Sequence, residues 1–181
     1  ELDALKKKAK PGDRVYIYFS GHGDIETEQK LGGLLLLYSC PASQYYLNPT
    51  GFIQQENLRK TISDLSTNKV EVVFIADACH SGKLSGGEEG RKNNMLALKA
   101  AWDNEVKIFS CQPNEVSLEG KQWGNGRGLF SWNMLKAMGG DADNIDTDKK
   151  ISLMELQNYL QLKVYAQAKP NTQTPFVVGN L

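Results

Sequence analysis

The stretch Val70–Gly82, VEVVFIADACHSG, limits what this chain can fold into more than any other. β-Branched and aromatic residues follow one another from Val70 to Ile75 without a breaker, the pattern of a strand buried on both faces, as in a parallel sheet. Parallel neighbours need crossover connections, usually helical, so an α/β chain is expected. The strand runs into a short turn of small and polar residues that sets Asp77, Cys79, His80 and Ser81 at its carboxyl end. In open parallel sheets that edge collects ligands and catalytic groups. A cysteine there reads in two ways: a nucleophile, or a small hydrophobe of the kind most often found buried.

A thiol nucleophile needs a base, and the sequence holds two histidines, His22 and His80. Neighbouring side chains on an extended backbone point to opposite faces, so His80 is badly placed to serve Cys79. His22 closes a second strand-and-turn, Arg14–Gly23, RVYIYFSGHG. Two parallel strands would bring His22 and Cys79 to one sheet edge from far apart in the chain. The glycines flanking His22 let backbone approach a substrate closely, and the amides of Gly23 and Cys79 are candidate donors to a developing oxyanion.

YFSGHG followed by DACHSG resembles the caspase-like cysteine peptidases, in the metacaspase and bacterial caspase-homologue branch. FSCQPNEVSLEG, GRGLFSWNML, DADNIDTDKKISLMELQNYL and NTQTPFVVG agree in the same order, so the resemblance covers the chain from about Asp13 onward. It implies a single caspase-like peptidase domain over residues 1–181, read as a fragment lacking upstream strands, with an α/β/α sandwich around a mainly parallel sheet. Strands that precede the histidine strand in the family have no counterpart here. Val15–Phe19 would then lie at an exposed sheet edge, an aggregation hazard unless a companion segment or chain covers it.

The resemblance also implies roles. Cys79 is the nucleophile and His22 the base and the proton donor to the leaving amine; a thiol attacks as thiolate, which a neighbouring imidazolium favours. Asp77, two residues before the nucleophile, lines a pocket for a basic side chain, and Ser20, two before His22, forms its wall. The bland reading of Asp77 is a carboxylate accepting backbone N–H bonds in the turn. A second pocket aspartate of the family would lie upstream. Ser110–Glu119 matches the segment beside the substrate, with Ser110 a candidate contact. Cleavage after arginine or lysine follows, arginine being held bidentately. The alternative is a caspase-like regulatory or scaffold module whose site is inactive or held closed. The loop 83–94 joins the family's larger and smaller parts, and Lys83, Arg91 and Lys92 in it are candidate self-cleavage positions of a zymogen.

Lysine plus arginine equals aspartate plus glutamate, 21 of each, so no global field argues for nucleic acid or a membrane as partner. Cys40, Cys79 and Cys111 are an odd set without framework spacing, which points to a reducing, cytoplasmic setting. Cys40 and Cys111 read as structural. The longest apolar run, Leu34–Tyr38, is too short to cross a bilayer. No signal peptide is visible, but Glu1 is no native start, so targeting information can lie upstream; no cofactor is expected.

The remaining elements follow from spacing. A helix ends at Pro11-Gly12, and Asp24–Lys30 and Pro41–Gly51 read as loops around a Leu34–Tyr38 strand. Ile53, Leu58, Ile62 and Leu65 predict a helix to about Ser66. Val106–Ser110 is a strand, Cys111–Gly128 a turn-rich loop, and Leu129–Met138 a helix with Phe130, Met134, Leu135 and Met138 on one face. Ser152 with Glu155 forms a capping box for a helix to about Ala168, and Pro175–Val178 is a last strand. Asn144, Asp146, Asp148, Ile151 and Glu155 fit a calcium loop except that Lys149 stands where the turn needs glycine. The capping box already accounts for Glu155, so no metal is expected, and activity and melting temperature should not respond to chelator.

Overall fold

The computed structural model describes residues 2–26, 31–41, 47, 50–79, 105–112 and 115–179. A six-stranded sheet forms its middle layer, in the order β3-β2-β1-β4-β5-β8. Its parallel heart is β1 (Arg14–Glu26), β4 (Glu71–Cys79) and β5 (Val106–Phe109). β2 (Gly32–Leu36) and β3 (Phe52–Gln54) extend it antiparallel on one side, and β8 (Phe176–Val178) runs antiparallel on the other. The expected mainly parallel sheet is thus parallel at its centre and antiparallel at both flanks.

The unbroken apolar run of β4 is explained by layers on both faces. Val72, Phe74 and Ala76 join Val15 of β1 against Leu58, Ile62 and Leu65 of α2 (Gln55–Thr67), with Leu2 and Leu5 of α1 (Leu2–Lys8) alongside. Val73 and Ile75, with Val106 and Ile108 of β5, pack instead on Phe130 and Met134 of α3 (Leu129–Lys136) and on Leu156, Tyr159 and Leu160 of α4 (Leu153–Ala168). Each such side chain taken fully out of water contributes about 1.5–3 kcal/mol before entropy is counted. Phe109 stacks on Phe176 at 4.9 Å and meets Phe74 edge-on at 6.2 Å, which fastens β8 to the sheet.

Four local expectations need correcting. β1 continues through Glu26 instead of turning after His22, because Asp24–Glu26 find partners in β2. Ile53 pairs with Leu35 in β3, so the helix starts at Gln55; β-branched Ile53 beside aromatic Phe52 suits a pleated edge better than a first helical turn. The 111–128 segment carries a two-stranded ribbon, β6 (Glu119–Gly120) with β7 (Arg127–Gly128). Leu135 and Met138 are more than half exposed, because at 3.6 residues per turn Phe130, Met134 and Ala137 share the buried face while Leu135 and Met138 turn away from it.

β1 changes neighbours along its length. Arg14–His22 pairs with β4 and His22–Glu26 pairs with β2, so His22 is the β1 residue paired on both sides. Among the described residues, the edge of Arg14–Gly21 away from β4 has no partner, and Tyr16 and Tyr18 beside it are 55% and 54% exposed. Among the described residues the edge is therefore paired at its carboxyl end and unpaired before it. No helix among the described residues is long and apolar enough to cross a membrane.

The capping box at α4 is formed as expected. Ser152 Oγ accepts from the Glu155 amide at 3.2 Å, and Glu155 Oε2 accepts from the Ser152 amide at 3.0 Å and its hydroxyl at 2.8 Å. Donation from the Ser152 backbone, then from its side chain, holds the Glu155 carboxyl below its usual range. A carboxyl lowered in this way stabilises the fold above its unfolded pKa, and the contribution is lost as pH falls through the lowered value. Ser152→Ala removes the hydroxyl that caps the Glu155 amide and should cost about 1 kcal/mol at neutral pH. The gap between the two melting curves should narrow on acidification below the ordinary carboxylate range; a gap that widens there would contradict the account.

Candidate active site

The parallel register of β1 and β4 builds the site. Phe19 pairs with Ala76, Ser20 with Asp77, Gly21 with Ala78 and His22 with Cys79, the last residue of β4. Backbones of paired strands run about 4.8 Å apart. Two residue pairs at the carboxyl ends of these strands thus bring together four of the positions that the sequence singled out: Ser20 and Asp77, then His22 and Cys79. His22 is exposed, and Gly23 is buried in the ladder opposite Leu35. The side chain of Cys79 and all of His80, Lys83, Arg91 and Lys92 lie outside the described residues, as does the 83–94 loop.

Asp77 is the best-defined group. It is 5% exposed and accepts from Ser117 Oγ at 2.6 Å through Oδ1. Its Oδ2 accepts from the Ser131 amide at 3.2 Å and from the Ser131 hydroxyl. Ser131 is the third residue of α3, so the carboxylate sits at the amino end of a helix, where free N–H groups favour an anion. Close approach is possible because residue 128 is glycine: a Cβ there would overlap Asp77 Oδ2 and lie 3.1 Å from its Cγ. The backbone N–H that Asp77 accepts comes from α3 rather than from its own turn.

Gln173 and Tyr18 form the outer ring of this cluster. Gln173 Nε2 donates to Ser117 Oγ at 3.1 Å and to the Ser110 carbonyl at 3.0 Å, while its Oε1 accepts from the Leu118 amide at 2.9 Å. The Tyr18 hydroxyl lies 2.7 Å from Ser131 Oγ. Ser117, Ser131, Gln173 and Gly128 carry no period and no spacing to Cys79. A buried carboxylate needs donors, but the sequence does not say which hydroxyls will reach it.

Ser110 is fully buried, its amide bonding to the Ala76 carbonyl at 3.0 Å, and Cys111 is buried beside it. Cys40 is partly buried, which pushes its thiol pKa up, with Asp24 adding to the effect. Neither reads as a second nucleophile.

The acidic loop departs from the register read in the sequence. Asp143, Asp146 and Glu155 bring carboxylate oxygens within 4.8 Å of one another, with Asp148 outside the group. Asp148 instead accepts from the Lys150 amide at 2.8 Å, and Asp143 accepts from the Lys149 amide at 2.9 Å. Lys149 takes φ +67, the left-handed conformation that glycine would supply more cheaply.

The caspase domain family model matches residues 1–181. Metacaspase-2 of Trypanosoma brucei brucei (strain 927/4 GUTat10.1) is 27% identical over 131 residues, covering 65% of this chain and 37% of that protein. Metacaspase-3 of Trypanosoma brucei brucei is 27% identical over the same length, covering 65% of this chain and 36% of its own. The chain thus spans little more than a third of the curated relatives it matches. A family match from the first residue to the last makes this chain a member of the caspase-domain family of cysteine peptidases.

Proposed function

We propose that this chain is a cysteine endopeptidase that cleaves after arginine or lysine, with Cys79 as nucleophile and His22 as base and acid. The observation that carries the reading is the register, which pairs His22 with Cys79 and Ser20 with Asp77 at the carboxyl ends of adjacent parallel strands. The relatives named metacaspases support it. In this scheme the Cys79 thiolate adds to the scissile carbonyl, and the oxyanion meets backbone amides at Gly23 and Cys79. The intermediate collapses to a thioester as the imidazolium of His22 protonates the departing amine. Water, activated by the neutral imidazole, then releases the acid. Asp77 supplies the negative charge that a basic side chain needs, and Ser20 lies one strand away.

One observation favours the alternative of a site held closed: Asp77 is 5% exposed and already takes three donors. A companion segment along the open Arg14–Gly21 edge is a further part of the proposal, since a long unpaired ladder is a template for another strand.

Fluorogenic arginyl, lysyl and aspartyl peptides test the reading. Wild type should hydrolyse the first two and leave the third. Asp77→Ala should lower kcat/KM for both basic substrates by the equivalent of about 2–5 kcal/mol, the range for removing one partner of a buried charge pair. A wild-type preference for aspartyl peptides would overturn the proposal.

A further inference from the structure

A carboxylate offers roughly four acceptor positions, two on each oxygen. At Asp77 the Oδ2 positions are filled by the Ser131 amide and the Ser131 hydroxyl, and one Oδ1 position is filled by Ser117. One position remains, on Oδ1. The two hydroxyls have no freedom to turn away. Each serine carries a single hydroxyl hydrogen, and each is spent on Asp77. Gln173 Nε2, a donor group, supplies the bond at 3.1 Å to Ser117 Oγ, and its amide orientation is set by the Leu118 amide on Oε1. By the same count the Tyr18 hydroxyl must be the donor in its 2.7 Å contact with Ser131 Oγ. Two donor chains therefore converge on one carboxylate, Tyr18 to Ser131 to Asp77 and Gln173 to Ser117 to Asp77.

This matters for substrate choice. A guanidinium binds a carboxylate best as a fork, with one N–H on each oxygen. An ammonium is a compact point charge that needs only one acceptor site. We propose that Ser131, by filling Oδ2, turns Asp77 into a one-point acceptor, so that the pocket takes lysine about as well as arginine. The proposal rests on the reading of Asp77 as the pocket carboxylate, and it revises the bidentate arginine expected from the sequence. Ser131 is then a positioning residue, acting through Asp77 on specificity.

The experiment is the ratio of kcat/KM for matched arginyl and lysyl peptides. The wild-type ratio should stay below about tenfold, the low end of what one hydrogen bond to a charged group is worth. Ser131→Ala opens a position on Oδ2 and should raise the ratio by about that factor, mainly through KM for arginine. Ser131→Thr keeps the hydroxyl and should keep the wild-type ratio. Ser117→Ala leaves Oδ2 filled and should change both substrates alike. A purely structural role for Ser131 would lower both activities together without moving the ratio. Wild type preferring arginine far beyond tenfold overturns the inference without any variant having to fold. So does an Asp77-dependent, basic-specific enzyme whose ratio ignores Ser131→Ala. An enzyme that cleaves after neither residue, or whose basic preference survives Asp77→Ala, overturns the pocket reading and this inference with it.

Discussion

Cys79→Ala should abolish peptide hydrolysis while the protein melts as the wild type does. Alanine keeps the strand-end backbone and removes the sulfur that attacks in the proposed mechanism, so the expected loss is on the order of 10⁴-fold or more. His22→Ala should cost kcat about 10²–10⁴-fold, the usual contribution of a positioned acid–base group. The double variant should be little worse than Cys79→Ala, because two residues acting as one unit do not add. Replacing His80 should cost far less than replacing His22. Comparable losses at the two histidines would reassign the base, despite the pairing of His22 with Cys79. Intact-mass analysis of the same proteins reads self-processing. Fragments ending at Lys83, Arg91 or Lys92 are expected in wild type and not in Cys79→Ala; an uncut, fully active wild type would remove self-cleavage from the proposal.

Gly179→Ala should be the most damaging small substitution for stability. A Cβ at that position would overlap the Glu105 carbonyl oxygen, 2.6 Å from the Glu105 carbon and 2.9 Å from Val106 Cα. These are backbone atoms at the start of β5, so no side chain can swing aside. The residue also takes φ +121, where a side chain is strained whatever the space. Relief requires β8 to lift from β5, which breaks the 4.9 Å stack of Phe109 on Phe176. A loss of about 4 kcal/mol or more is expected, in the range kept for named steric faults. For a chain of this size that lowers the melting temperature by about 10 °C. A shift of only a degree or two would show that the end of β8 adjusts freely.

The parts of the fold legible in the sequence are those with strong periodicity or long burial. Val70–Ile75 could only be a strand covered on both faces, and Ser152 with Glu155 announced a helix start that the hydrogen bonds reproduce. The candidate site positions were nominated by chemistry that is rare in this chain, two histidines and three cysteines, and the strand register sets His22 beside Cys79. Short elements were not legible. Phe52–Gln54 is three residues long, and its pairing with Leu34–Leu36 depends on a partner that local spacing cannot see. Ser117 and Ser131 donate to Asp77, Gln173 donates to Ser117, and Gly128 leaves room for the carboxylate; the chain brings these four together only after α3 and β8 have packed. Tertiary placement decides such contacts.

The double pairing of His22 has a consequence for how the protein fails on heating. Sheets open locally before they unfold globally, and short flanking strands go first. β2 and β3 are 5 and 3 residues long, so their departure is the cheap event on that side. It leaves His22 still laddered to Cys79 through the nine residues of β4. The Asp77 cluster has no such redundancy, because its donors hang from the loop before β6, the first turn of α3 and the approach to β8. If the proposed function holds, warming is expected to erode discrimination ahead of turnover, so a partly frayed population should be less selective rather than inactive.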